Sequence, residues 1–315
     1  MKVVITGLGA VSAAGVGIAA LAEVLKGSPP LQPAESAGPL DLAGHLNAAK
    51  TYLDRNSQLA LLAGSMALND AGLAPVEEGL NIGVSFGTAF GNLQTTETFL
   101  TMLREKGPKL ASPLLFIHSY PNTSSSLMAI EWSLTGPALN FCTGSSAGAD
   151  AMIAAADVIA DGKADAMLTG AAETDGKLLR ACYPELGFRE AAGMFTLETE
   201  ESAIRREAVI HAELSSWVKA GDARTCAAGA LERAGLKEGE IDLVVIDGID
   251  TVEGFTQEKC LQPHRYTGKT LSAGPVLAVI AAAMRIESNA NIRSALVLTS
   301  GIDSAAWVLR RHEQS

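Results

Sequence analysis

The fold is decided by residues 138–148, which read A-L-N-F-C-T-G-S-S-A-G. Residues 138–142 form a short, mostly apolar run that predicts a buried strand. Five apolar residues beyond the turn recur at helical spacing: Ala149, Met152, Ile153, Ala156 and Ile159. A strand that passes into a helix through small residues directs free backbone N–H groups at one point, and Ser145 occupies that point. A nucleophile placed there would have its anion favoured by the helix N-terminus.

Strand and helix patterns alternate on both sides of this stretch, and the second half repeats the first in outline. Apolar runs predict strands at residues 2–6, 81–88, 193–198, 209–217, 242–247, 294–299 and 306–309. Helical periodicity predicts helices after Asp54 and at residues 93–105, 200–206, 223–234 and 276–286. Such alternation is typical of an α/β protein with largely parallel sheets and helices outside them.

Composition excludes several classes of protein. The chain has 315 residues, of which 48% are hydrophobic and 19% charged, enough to bury a substantial core. No apolar run reaches the roughly 18 residues that a membrane span needs. The net charge of −11 argues against nucleic acid or an anionic membrane as a partner.

Neither a cofactor nor a metal ion is expected. Gly7 and Gly9 follow the first strand as in a dinucleotide-binding loop, but Ser12 holds the third glycine position. The four cysteines are scattered, and no His, Cys and Asp residues have metal-ligand spacing. No signal or transit peptide is visible at the N-terminus, so the thiols are expected to be reduced and the protein cytoplasmic.

Residues 136–148 resemble the nucleophile segment of β-ketoacyl synthases, the condensing enzymes of the thiolase fold, in which a cysteine stands at the position of Ser145. Pro121-Asn122 resembles the Pro-Asn that precedes a helix in that family. Residues 161–173 resemble its Gly-x-Ala-Asp strand, which ends in Gly-Ala-Glu. Asp54-Arg55 resembles the start of its D-R-x-x-Q-x-A-L helix. The resemblance covers nearly the whole chain.

The resemblance implies a single thiolase-like unit over residues 1–315. Two similar βαβαβαββ halves would pack back to back as a five-layered α-β-α-β-α core. We expect the N-terminal half to cover about residues 1–190 and the C-terminal half about residues 191–315.

The resemblance also locates the catalytic positions of the family, and this chain departs from each. The nucleophile position is Ser145, whose hydroxyl, unlike a thiol, needs an adjacent base. The two histidine positions are Ile249 and Pro275, which cannot donate a side-chain hydrogen bond. The glycine-rich loop near the C-terminus is reduced to residues 300–304, where Asp303 would repel a developing oxyanion. No catalytic residue for condensation is therefore expected.

The leading hypothesis is a non-catalytic subunit that resembles the chain length factors of type II polyketide synthases. Such a subunit pairs with an active ketosynthase as a heterodimer, and an acyl carrier protein reaches the complex through the ketosynthase. The resemblance places the strand before Cys142 and the segment after Pro121 at the dimer interface. The candidate residues for the acyl tunnel are Phe116, Ser119, Leu127 and Met128, for which ordinary core packing is an equal interpretation.

Two alternatives stay open. Residues 144–148 fit G-x-S-x-G, so a serine acyltransferase or hydrolase could use Ser146 or Ser145. A triad also needs a histidine and an acid later in the chain, and only His211, His264 and His312 follow, none of them beside a recognisable acid. All five histidines are expected to be surface or loop residues. A homodimer that only binds acyl chains is the other alternative.

Overall fold

The computed structural model describes residues 1–313 except 29–33, 35, 78, 185–186, 253 and 302. The strands are β1 (Val3–Ser12), β2 (Gly15–Val16), β3 (Ile82–Gly87), β4 (Ala138–Phe141), β5 (Ala166–Glu173), β6 (Ala191–Thr199), β7 (Ala212–Ala220), β8 (Leu243–Asp247), β9 (Cys260–Leu261), β10 (Ser294–Ser300) and β11 (Ser304–Arg310). The helices are α1 (Ile18–Lys26), α2 (Arg55–Asp70), α3 (Leu93–Lys106), α4 (Pro113–Ile117), α5 (Thr123–Glu131), α6 (Ala147–Ala160), α7 (Lys177–Cys182), α8 (Glu200–Arg205), α9 (Ala223–Ala234), α10 (His264–Thr267) and α11 (Ala273–Ser288).

The strand order shows the same arrangement twice. The first set runs β4-β3-β5-β6-β1 and the second runs β9-β8-β10-β11-β7. In each set the first three strands pair in parallel, and the fourth strand pairs antiparallel with both of its neighbours. β1 pairs antiparallel with β7, which joins the two sets into one sheet. The predicted α/β fold with two similar halves is confirmed.

Three hydrophobic cores make the five layers. One outer core packs α2 and α5 against the first set of strands. The central core places α6 and α11 between the two sets. The other outer core packs α9 against the second set. α11 is buried along nearly its whole length, because it lies in the middle layer and contacts strands of both halves.

Local sequence explains where several elements begin and approach one another. Asp54 accepts a hydrogen bond from the Ser57 backbone N–H at 2.9 Å and so caps α2. A β-carbon on Gly7 or Gly9 would lie 2.1 or 2.0 Å from a carbonyl oxygen of α2. The two glycines therefore let α2 lie directly on β1. This close packing accounts for the Gly-x-Gly pair without a nucleotide.

The structure corrects two expectations about strands. β4 was expected to be buried, but its residues are exposed or partly exposed, because it lies at the end of the strand order and pairs with β3 alone. β7 begins at Ala212 rather than near Val209, because its pairing with β1 begins where Ala212 meets Ile5.

The position of β6 bears on how the repeat is divided. β6 lies between β5 and β1 and therefore groups with the first set of strands, although it follows residue 190. We propose that the repeat is better divided between α8 and β7 than at about residue 190. Among the helices of the described residues, none combines the length and apolar character that a membrane crossing requires.

Candidate functional site

Ser145 lies on a single turn of 3-10 helix, Gly144–Ser146, between β4 and α6. Gly144 has φ of +66°, a left-handed conformation that glycine adopts without steric cost. The Ser145 residue is partly exposed, whereas Ser146 is buried. A β-carbon on Gly301 would lie 2.5 Å from the Ser145 Oγ, so the segment after β10 passes directly against this hydroxyl.

A cavity of about 490 Å³ opens at Ser145. The structure brings Ser145, Ile249 and Pro275 together in its wall, although they lie far apart in the sequence. Polar residues that also line it are Asp247, Asp250, His264, Lys269, Thr270 and Asp303, and apolar ones are Phe188 and Leu271. The wall of this cavity is therefore half-apolar, with a thiol at neither serine and no histidine at positions 249 and 275.

Pro275 lies in the first turn of α11, as its position in the sequence predicts. This end of α11 meets the N-terminal end of α6, since a β-carbon on Gly148 would lie 2.0 Å from the carbonyl oxygen of Ser272. Two helix N-termini, each with a positive end of its dipole, thus converge beside Ser145. The proline ring maintains the helix start but offers no hydrogen bond to a substrate.

Ile249 follows β8 in a loop that turns at Gly248, whose φ is +75°. A β-carbon on Gly248 would lie 2.2 Å from the carbonyl oxygen of Ser300, so the loop is held closely against the end of β10. Ile249 itself is partly buried and packs against the outer core beneath α9. Its side chain contributes apolar surface to the cavity and no polar group.

The structure places a histidine beside an acid in this cavity, which the sequence did not reveal. Asp247 is the last residue of β8, and its Oδ1 lies 3.7 Å from the Nδ1 of His264 on α10. Burial raises the pKa of Asp247 to about 7, and burial lowers the pKa of His264. The expectation that no later histidine lies beside an acid is therefore wrong. A signal was present, since Asp247 ends a predicted strand, but β9 has to return the chain for the pair to meet.

Two buried polar atoms in the cavity lining have no hydrogen-bond partner among the described residues. They are the Nδ1 of His264 and the Oγ1 of Thr270, and Thr270 is only 2% exposed. Neither Ser145 nor Ser146 hydrogen-bonds to a histidine within the described ranges, although the Ser146 Oγ accepts the Asp303 N–H at 3.5 Å. The cavity thus presents polar groups that a bound molecule could satisfy.

The aspartate of the C-terminal loop does not bring an unpaired charge to the site. Asp303 Oδ2 lies 3.2 Å from the Lys219 Nζ, which also donates to Asp150 Oδ1 on α6 at 2.6 Å. The repulsion expected from Asp303 is therefore offset by a lysine. Ile302, in the same predicted loop, lies outside the described residues.

Glu173 links the elements around the site. It is 1% exposed and accepts hydrogen bonds from the backbone N–H groups of Ala89 and Phe90 and, at 2.8 Å, from the Ser272 hydroxyl. Burial raises its pKa to about 7 even though these hydrogen bonds favour the ionised form. Glu173 thereby fixes the end of β5 against the start of α11.

Two other histidines are buried, which contradicts the expectation of surface or loop positions. His118 is 7% exposed, and its ring lies edge-on to Tyr52 with the centroids 5.0 Å apart. His211 is 8% exposed and hydrogen-bonds to Asp70 and Glu287, each at 2.8 Å. Within the described part of the chain, no group of His, Cys, Asp and Glu side chains is placed to hold a metal ion.

None of the four tunnel candidates lines the cavity at Ser145. Met128 is fully buried in the outer core beneath α2, and Leu127 packs at the edge of that core. Phe116 is 44% exposed, and the Ser119 hydroxyl donates to its carbonyl oxygen at 2.7 Å. Their role in a tunnel stays a prediction.

The face that carries β4 and the helices before it has no partner in the single chain. The exposed large apolar residues on or beside α3, α4 and α5 are Leu100, Leu110, Leu114, Phe116, Ile117, Tyr120 and Ile130. Phe116 contacts Phe99 and Tyr120, with ring centroids 5.4 and 5.3 Å apart, and so connects α3 to the segment before α5. Exposed apolar surface of this kind, next to an unpaired strand edge, is typical of protein–protein contacts.

Comparison with known proteins gives relatives for both the sequence and the fold. The family model described as "Beta-ketoacyl synthase, N-terminal domain" matches residues 43–208, just over half of the chain. The 3-oxoacyl-[acyl-carrier-protein] synthase 2 of Staphylococcus aureus is 30% identical over 208 residues, covering 58% of this chain and 52% of that protein. The chain spans about half the length of the curated relatives it matches.

Two solved structures share the fold over 99% of this chain. The ishigamide ketosynthase/chain length factor matches with a TM-score of 0.85 and 20% identity, and 99% of that chain is covered. AntDE:AntF, a type II PKS acyl-carrier protein in complex with its ketosynthase, matches with a TM-score of 0.83 and 22% identity, again over 99% of that chain. At these identities the likeness concerns the fold alone.

Proposed function

This chain belongs to the β-ketoacyl synthase family, and we propose that within it the chain acts as a non-condensing subunit, similar to a chain length factor. Its partner would be an active ketosynthase, with which it forms a heterodimer. The complex would receive acyl groups from an acyl carrier protein and extend them in polyketide or fatty-acid-like synthesis.

The observation that carries this proposal is the composition of the cavity at Ser145. Decarboxylative condensation needs a thioester-forming nucleophile and two imidazoles that polarise the malonyl thioester oxygen. The nucleophile position holds a serine, and the histidine positions hold Ile249 and Pro275. Among the described residues of the cavity wall, His264 is the one imidazole, so the pair that condensation requires is incomplete.

The surface of the chain supports a partner subunit. β4 has one free edge, so a strand of a second chain could extend the sheet there. The adjacent apolar side chains, such as Phe116 and Ile117, are 44% and 60% exposed in the single chain. Burying a side chain of this size contributes about 1.5–3 kcal/mol. A partner that covers this face would therefore gain several such contributions.

Chain-length control would arise at the same face. Phe116 and Ser119 lie at its surface, while Leu127 and Met128 lie beneath it on α5. If the acyl chain from the partner's nucleophile enters between the subunits, the volume of these side chains limits how far it can grow. We propose this role for the four residues as a set.

Co-expression with a candidate ketosynthase tests the proposal. We expect the two chains to co-elute in size-exclusion chromatography and the complex to form extended products, whereas neither this chain alone nor the complex with an inactivated ketosynthase does so. Ser145→Ala in the complex should leave the yield and length of the product unchanged. Loss of product formation with Ser145→Ala, or condensation by this chain alone, would refute the proposal.

A further inference from the structure

The cavity contains three groups that a non-condensing subunit does not need. Ser145 lies at the start of α6, Asp247 at the end of β8 and His264 on α10, and all three line one cavity. The Nδ1 of His264 is directed toward Asp247, at 3.7 Å from Oδ1. In an imidazole ring the Nε2 is on the opposite side from an acid held at Nδ1, where it can act on another group.

We propose that Ser145, His264 and Asp247 hydrolyse acyl thioesters, as a second activity of this chain. Ser145 is the nucleophile, His264 the general base and Asp247 the group that orients the imidazole. The inference concerns this chain alone and does not depend on its pairing with a ketosynthase. In a complex, such an activity would release acyl groups that have stalled.

The reaction needs only the thioester and water. The Ser145 Oγ attacks the thioester carbonyl carbon as the His264 Nε2 takes its proton. The C–S bond then breaks, and the sulfur leaves as a thiol with that proton. Water attacks the resulting acyl-serine, His264 takes a proton from the water, and the C–O bond to Ser145 breaks as the proton returns to its oxygen. The products are a free carboxylic acid and a thiol.

Electrostatics at the site favour these steps. Burial lowers the pKa of His264, so the ring is neutral and able to accept a proton at neutral pH. The imidazolium that forms is attracted by the nearby Asp247 carboxyl group. The oxyanion develops beside the N-terminus of α6, where the positive end of the helix dipole stabilises negative charge.

The lining of the cavity defines the class of substrate. Phe188, Ile249 and Leu271 give it an apolar wall, and a volume of about 490 Å³ holds a medium-length acyl chain. The carboxyl groups of Asp247 and Asp250 also face this space. We therefore expect uncharged acyl thioesters to be accepted and malonyl thioesters, whose carboxylate would meet these acids, to be excluded.

The geometry in the free chain is looser than in a reacting complex. No hydrogen bond joins His264 to Ser145 in the described structure, and the His264 Nδ1 is without a partner. In unliganded enzymes such contacts are often long and shorten when substrate binds. The unpartnered polar atoms of His264 and Thr270 are groups that a bound thioester could satisfy.

The purified chain, incubated with octanoyl-N-acetylcysteamine, provides the test, with the released thiol measured by Ellman's reagent. Ser145→Ala should lower the rate at least about 100-fold, as should His264→Gln, because each removes a group that acts in the transition state. A fluorophosphonate probe should label the peptide at Ser145. Malonyl-N-acetylcysteamine should be hydrolysed at the background rate.

Two matched variants serve as controls. Ser215→Ala and His45→Gln remove a serine and a histidine that do not line this cavity, and both should keep the wild-type rate. Thermal melting of each variant separates loss of activity from loss of folding, and Ser145→Ala removes a single oxygen atom. Hydrolysis at the background rate by the wild-type chain, full activity in folded Ser145→Ala, or labelling at Ser146 would overturn the inference. The product length of the ketosynthase complex tests the proposed function separately.

Discussion

Replacing Gly148 by alanine tests whether the crossing of α6 and α11 holds the site together. A β-carbon at Gly148 would lie 2.0 Å from the Ser272 carbonyl oxygen and 3.0 Å from Val276 Cγ2. Favourable contact between heavy atoms needs about 3.5 Å, so the helices would have to separate by roughly 1.5 Å. The obstructing atom belongs to the backbone, and α11 is buried in the central layer, so neither can adjust freely.

Overpacking of this kind costs about 1–3 kcal/mol, and we expect the upper end of that range for Gly148→Ala. For a large domain, each kcal/mol lowers the melting temperature by about 2–4 °C, so a decrease of about 6–12 °C should follow. Thermal denaturation followed by circular dichroism measures this decrease.

Gly229→Ala on α9 is the matched control. A β-carbon there would meet Val218 Cγ1 and Cγ2 at 3.5 and 3.6 Å, which is ordinary contact. Alanine in a helix interior is more stable than glycine by about 0.5–1 kcal/mol, so this variant should melt slightly above the wild type. If Gly148→Ala melts at or above the wild type while Gly229→Ala behaves as expected, the close crossing of α6 and α11 is refuted.

Three further predictions concern a buried histidine and the tunnel candidates. Burial alone lowers the pKa of His211, but hydrogen bonds to Asp70 and Glu287 outweigh it and raise that pKa. The stabilisation is thus fully present below the unfolded-state pKa of about 6.5 and is lost as pH rises through the higher folded-state pKa. His211→Gln should remove this decrease in urea midpoint between about pH 6 and pH 9, and an unchanged decrease would contradict it. Met128→Ala should destabilise the chain by about 2–5 kcal/mol, since Met128 is fully buried, and a wild-type urea midpoint would disprove that packing. Phe116→Ala should leave the melting of the single chain unchanged but weaken association with a ketosynthase by about 1–3 kcal/mol in titration calorimetry, whereas unchanged affinity would exclude Phe116 from the interface.

Local patterns predicted the elements that depend on neighbouring residues. α9 was expected at residues 223–234 and is observed at Ala223–Ala234, because Asp222 caps its start and Gly235 ends it in a left-handed conformation. Pro275 was expected in a first helical turn, where its missing N–H has no cost, and it lies there in α11. Both signals act within a few residues, so no knowledge of the rest of the fold was needed.

Properties that depend on distant contacts were harder to predict. The apolar run of β4 indicated burial, but whether a strand is an edge depends on how many neighbours the sheet supplies. The burial of His118 and His211 depends on segments that pack over them from elsewhere in the chain. Periodicity does not contain this information.

The sequence by itself determined the α/β fold, its repeated halves and the absence of a thiol and two imidazoles at positions 145, 249 and 275, because these follow from residue types and short-range order. Only the tertiary structure decided that those positions share one cavity and that His264 lies beside Asp247 within it. The physical reason is that cavity neighbours come from the ends of different strands and helices. Their distances are set by the close packing of whole layers, such as α6 against α11, and no local segment encodes them.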